Sequence, residues 1–156
     1  MKNLNLKNTK LSKSKKGFTL VELLLSIALF SMIAFVSVPI YQTFLFQNDL
    51  IVTTNLVINI ARSAQLKSQS VQSDSVWGVS IQTNQTVLFK GATYATRDTT
   101  ADEVSQIMTG VVPSGLTEFT FSKVFGEAST TGSLVLTGRN SQTKTLTLNA
   151  KGVFSY

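Results

Sequence analysis

Along the chain the spacing of apolar positions divides the sequence into four zones. Residues 1–17 have no period and are rich in Lys, Asn and Ser, which predicts a solvated tail. Residues 18–41 are almost wholly apolar, with Glu22 the only charge. As a helix they span roughly 36 Å at the usual rise, enough to cross a hydrocarbon core of about 30 Å. A soluble core helix of that length would carry a polar stripe, and none is present. Over 42–73 the helical period continues but becomes amphipathic. Phe46, Leu50, Val57, Ala61, Ala64 and Val71 fall on one face, and Asn48, Asn55, Asn59, Arg62 and Gln69 on the other. The spacing predicts one helix from about Phe18 to about Ser73, its first half in lipid or a filament core and its second half packed on a globular head.

From Ser75 the period becomes two. Trp77, Val79 and Ile81 alternate with Gly78 and Ser80, and Thr83-Asn84-Gln85 marks a turn before Val87-Leu88-Phe89. A looser stretch, 91–113, contains Thr100-Ala101-Asp102-Glu103, a capping-box pattern that predicts a short helix through Met108. Strands are expected at 116–121 with Phe119 and Phe121 inward, at 133–137 with Leu134 and Leu136, and at 143–149 with Leu146 and Leu148. Gly138–Gln142 joins the last two strands, and Asn149-Ala150-Lys151-Gly152 turns the chain into a closing strand, Val153–Tyr156. The fold class is α+β: a long N-terminal helix, membrane-spanning in its first half, packed on an antiparallel β-sheet or β-sandwich head over 74–156.

The formal net charge of +6 points to a nucleic-acid binder until its distribution is considered. Lys2, Lys7, Lys10, Lys13, Lys15 and Lys16 supply six of the fourteen basic residues within an acid-free leader. From residue 17 onward eight basic and eight acidic residues cancel. The chain has no Cys and no His, which excludes disulfides, thiolate or imidazole zinc sites, Cys nucleophiles and any Ser-His-Asp triad.

The specific signal is Lys15-Lys16-Gly17-Phe18-Thr19-Leu20-Val21-Glu22. An ordinary secretory signal also runs from basic to apolar, but this apolar run is too long for one and no small-x-small cleavage pattern follows it. The junction falls on a glycine, with a carboxylate four residues beyond Phe18. A carboxylate inside a membrane segment costs about 2.5–3.5 kcal/mol, so a partner is expected for it.

Together with Leu23-Leu24, this stretch resembles the class III signal of type IV prepilins and pseudopilins. The resemblance implies cleavage after Gly17 by a membrane aspartyl peptidase and N-methylation of the new terminus, Phe18, by the same enzyme. It also implies that Glu22 neutralises an N-terminal amine during filament assembly. The physics is compatible: a freed ammonium and the Glu22 carboxylate one turn away remove two isolated charges when they pair, and a neighbour out of register leaves both unpaired. Pro39 removes a backbone donor late in the apolar run and predicts a kink; the resemblance implies a weak point there, where the helix extends when subunits pack. The implied partners are the prepilin peptidase and methyltransferase, other pilins or pseudopilins in a helical filament, an assembly platform and the membrane. No cofactor or metal is implied. The implied location is the cytoplasmic membrane before assembly and a surface filament afterwards.

Ala61-Arg62-Ser63-Ala64-Gln65, Trp77-Gly78-Val79 and Leu146–Val153 are also similar to heads of the GspH/FimT type, two antiparallel sheets on the helix. The cysteine pair common in pilin heads is missing.

Other chemistries are weaker. Ser141-Gln142-Thr143-Lys144 matches Ser-x-x-Lys but falls in an expected hairpin, whereas catalytic examples open a helix. Asp98, Asp102 and Glu103 lack the ligand spacing of a calcium loop. Arg139, Lys144 and Lys151, close in sequence, are candidate DNA contacts, the alternative being a DNA-binding minor pilin of a DNA-uptake pilus. Three scattered cations in a head of zero net charge favour a solvated strand face.

Overall fold

The computed structural model describes residues 17–156. The chain divides into two compact units, Met1–Val38 and Pro39–Tyr156. Helix α1 is Leu20–Gln69, with Pro39 inside it. Eight strands follow: β1 Trp77–Gln82, β2 Gln85–Lys90, β3 Asp98–Gln106, β4 Val112–Gly115, β5 Glu118–Phe121, β6 Gly132–Thr137, β7 Thr143–Leu148 and β8 Phe154–Ser155. They form two antiparallel four-stranded sheets, ordered β3-β2-β1-β5 and β4-β6-β7-β8.

In the second unit one core joins the helix to both sheets. Leu50, Val57, Ile58, Ala61 and Ala64 of α1 pack with Trp77, Val79, Ile81, Leu88, Phe119 and Phe121 of the first sheet and with Leu134, Leu136, Leu146 and Leu148 of the second. The predicted polar face, Asn48, Asn55, Asn59, Arg62 and Gln69, is exposed. The amphipathic period therefore orients the helix as expected. Val71 is the exception: it lies past the end of α1 in the left-handed region (φ 53°) and leads into a 3-10 turn, Gln72–Asp74. The helix stops four residues before Ser73 because Ser68 turns its bonding outward. Its carbonyl accepts the Val71 and Val124 N–H groups (3.1 and 3.3 Å), and its hydroxyl accepts the Trp77 N–H (2.8 Å).

The expected short helix at Thr100–Met108 is instead most of β3. Asp98 Oδ1 accepts both the Thr100 N–H (3.1 Å) and its hydroxyl (2.6 Å), and the backbone of Glu103 is paired with Leu88 in the sheet rather than capped by Thr100. Glu103 reaches Lys67 on α1, and Val104 pairs with Val87 on the open edge of β2. A free sheet edge and β-branched side chains override the local capping pattern. Strand β4, in the stretch read as loose, is an edge strand, which is where its Pro113 is tolerated.

The strict alternation expected of β1 also gives way: Trp77 through Ile81 are all buried. The link between β2 and β3 covers the far face of that sheet. Tyr94 meets Phe89 edge-on at 5.7 Å, and its N–H donates to Glu118 Oε1 (2.8 Å). Arg97 stacks on the Tyr94 ring at 3.7 Å and donates to Asp102 (2.8 Å) and to the Tyr94 carbonyl (2.8 Å).

Candidate functional site

The site begins at the junction of the leader with the apolar helix. Gly17, Phe18 and Thr19 are non-helical and exposed, and α1 starts at Leu20. The helix starts there because Thr19 caps it. Thr19 Oγ1 accepts the Glu22 N–H (3.3 Å), and the Thr19 carbonyl accepts the Leu23 N–H (3.1 Å). Glu22 thus sits in the first turn, where the partial positive charge of the helix end favours a carboxylate. Its backbone carbonyl accepts the Ser26 hydroxyl (2.7 Å). Among the described residues its carboxylate has no hydrogen-bond or ion-pair partner, so only half of a capping box is made and the charge stays available.

Thr19 was not singled out from the sequence, although Thr19-Leu20-Val21-Glu22 is itself a Thr-x-x-Glu pattern directly ahead of an apolar run.

Beyond this turn the helix offers almost nothing but hydrocarbon. Phe18, Leu20, Val21, Phe30, Met32 and Phe35 are all more than 70% exposed, an apolar surface that water does not tolerate and that lipid or other helices would cover. By length and composition α1 is able to cross a membrane. Ser31 and Ser37 bond back to the carbonyls of Ile27 and Ile33 (both 2.7 Å), which keeps their hydroxyls satisfied in an apolar setting. Pro39 lies within α1 as the first residue of the second unit, and its carbonyl accepts the Thr43 hydroxyl (3.0 Å).

The three cations named as DNA contacts each have an intramolecular partner. Arg139 donates to the Thr109 carbonyl (2.9 and 3.1 Å) and lies 5.8 Å from the Phe46 ring. Lys144 lies 4.9 Å from the Tyr156 ring, and Lys151 pairs with Glu127 at 2.6 Å, which raises the Lys151 pKa. Ser141 is in the β6–β7 turn with φ 60° and Lys144 is in β7, so the Ser-x-x-Lys match lies on a hairpin. The acids of β3 are each matched by a cation: Asp98 by Lys90 (3.4 Å), Asp102 by Arg97 (2.8 Å) and Glu103 by Lys67.

Residues 12–38 match the family described as Prokaryotic N-terminal methylation motif. No curated protein and no solved structure matches the chain. The matched segment takes in the end of the Lys-rich leader, Gly17, Phe18, Glu22 and most of the apolar run. The motif supports a type IV pilin-like precursor and implies processing by a prepilin peptidase and assembly in a filament.

Proposed function

We propose that the chain is a minor pilin or pseudopilin, a structural subunit of a type IV pilus or type II secretion-like filament with no chemistry of its own. A prepilin peptidase cuts between Gly17 and Phe18 and methylates the Phe18 amine. The subunit then waits in the cytoplasmic membrane by its apolar helix and passes through an assembly platform into the filament. The observation that carries this reading is the Glu22 carboxylate, without a partner among the described residues, in the first turn of an apolar helix inside the methylation motif. Cleavage supplies the missing counter-charge four residues away. A head of the GspH/FimT type is the finer assignment, supported by two four-stranded antiparallel sheets that share a core with the helix. The DNA-binding alternative gains nothing from Arg139, Lys144 and Lys151, which already have partners.

Glu22→Leu and Glu22→Gln test the assembly role. Both variants should enter the membrane and be cleaved, and both should be depleted in sheared filaments relative to the membrane pool. Leu in place of Glu removes the desolvation cost of a membrane carboxylate. If Glu22 were a tolerated polar residue, the Leu variant would therefore assemble at least as well as wild type, and that result would refute the pairing role.

A further inference from the structure

Thr19 stands between the proposed scissile bond and the first turn of α1. A helix extended toward the leader would send the Glu22 N–H to the Phe18 carbonyl and the Val21 N–H to the Gly17 carbonyl, by the ordinary i to i−4 pattern. The second of these bonds would draw the scissile carbonyl itself into the helix. The Thr19 hydroxyl takes the Glu22 N–H instead (3.3 Å), and the helical bonds begin at the Thr19 carbonyl with the Leu23 N–H (3.1 Å). Gly17, Leu20 and Val21 have no polar side chain and Phe18 has none, so no other side chain ahead of Glu22 in this junction can accept that N–H.

We propose that Thr19 is a positioning residue for leader removal. Its hydroxyl fixes the helix start at Leu20 and keeps the Gly17 carbonyl out of helical hydrogen bonding, so the Gly17–Phe18 bond reaches the peptidase as a non-helical segment with both backbone groups free. The inference rests on the processing reading above. The reaction is hydrolysis: the bond between the Gly17 carbonyl carbon and the Phe18 nitrogen breaks, and water gives its hydroxyl to the carbon and its proton to the nitrogen. Thr19 exchanges no atom in that step. Gly17 works in the same direction, since glycine resists entry into a helix.

The test is cleavage of the full-length precursor in membranes by a prepilin peptidase, comparing wild type with Thr19→Val, Thr19→Ser and Thr19→Asp. Amide exchange at Val21 is followed in each uncut chain. Val keeps the shape and loses the acceptor, whereas Ser and Asp keep an acceptor. Loss of a cap of ordinary strength corresponds to about a fivefold shift. The Val variant should therefore be cut about fivefold more slowly and show greater protection at Val21, with Ser and Asp close to wild type in both. A Val variant cut at the wild-type rate would overturn the inference while leaving the processing reading intact. So would slower cleavage with unchanged Val21 protection, which would mean that Thr19 contacts the peptidase directly. A wild-type chain that is not cut would overturn the processing reading and this inference with it.

Discussion

Ser68 and Trp77, nine positions apart, fasten the end of the helix to the start of the first sheet: the Trp77 N–H donates to Ser68 Oγ at 2.8 Å in a site closed to solvent. The Trp77 indole N–H reaches the Gln72 carbonyl (3.1 Å), so the link between the two elements is closed from both sides. Replacing Ser68 with Ala removes a buried hydrogen bond to the Trp77 amide, which costs about 0.5–1.5 kcal/mol. Thermal unfolding of Ser68→Ala should show a clearly lowered midpoint. An unchanged midpoint would mean that the bond contributes nothing net.

Val124 occupies the left-handed region (φ 67°), where a β-branched side chain is strained. The turn is held there from several sides: the Val124 N–H bonds to the Ser68 carbonyl (3.3 Å), Gln69 to the Phe125 carbonyl (3.3 Å) and Gln65 to the Gly126 carbonyl (2.8 Å). Val124→Gly should stabilise the fold by about 1 kcal/mol, the strain relieved less the added chain entropy. Denaturant unfolding reads this directly, and a destabilised variant would contradict the strained assignment.

The pH dependence follows from the surface pairs. The Lys123 ammonium hydrogen-bonded to Asp74, and the Thr100 hydroxyl bonded to Asp98, hold those carboxyls below the ordinary carboxylate range. A depressed carboxyl contributes stability that is present above its unfolded pKa, about 3.9, and is lost as pH falls through the lower folded value. Glu127 raises Lys151, so that contribution is present below about 10.4 and is lost as pH rises through the higher folded value. With no His in the chain, unfolding midpoints should be flat between about pH 5 and pH 9 and decline outside that window. A marked step near pH 6.5 would contradict this. The pairs are solvated, so the changes should be small.

Much of this architecture was legible in the residue pattern. The amphipathic half of α1 was readable because Leu50, Val57, Ala61 and Ala64 recur at the helical period, and the β6–β7 hairpin because Leu134, Leu136, Leu146 and Leu148 alternate. β3 was misread because Thr100–Glu103 satisfies a local capping rule, while the partners that win it for the sheet lie far away: Val87 on β2 and Lys67 on α1. The burial of both faces of β1 was equally invisible, since Phe89 and Thr120 close over Gly78 and Tyr94 packs on Phe89 from a segment with no period of its own. At the site, Gly17, Phe18 and Glu22 stood out as a charge boundary and an isolated carboxylate. Thr19 did not, although it opens a Thr-x-x-Glu pattern, because a helix expected to start at about Phe18 places it inside the first turn rather than at the cap.

The most direct test of the central claim is the mass of the mature chain. The full-length precursor is produced together with a prepilin peptidase and recovered from membranes, and its N-terminus is defined by intact mass and N-terminal fragmentation. The account predicts a chain beginning at Phe18 and carrying one methyl group on its amine. A chain that keeps Met1–Gly17, or one that begins beyond Ile40 after cleavage of an ordinary signal peptide, would contradict it.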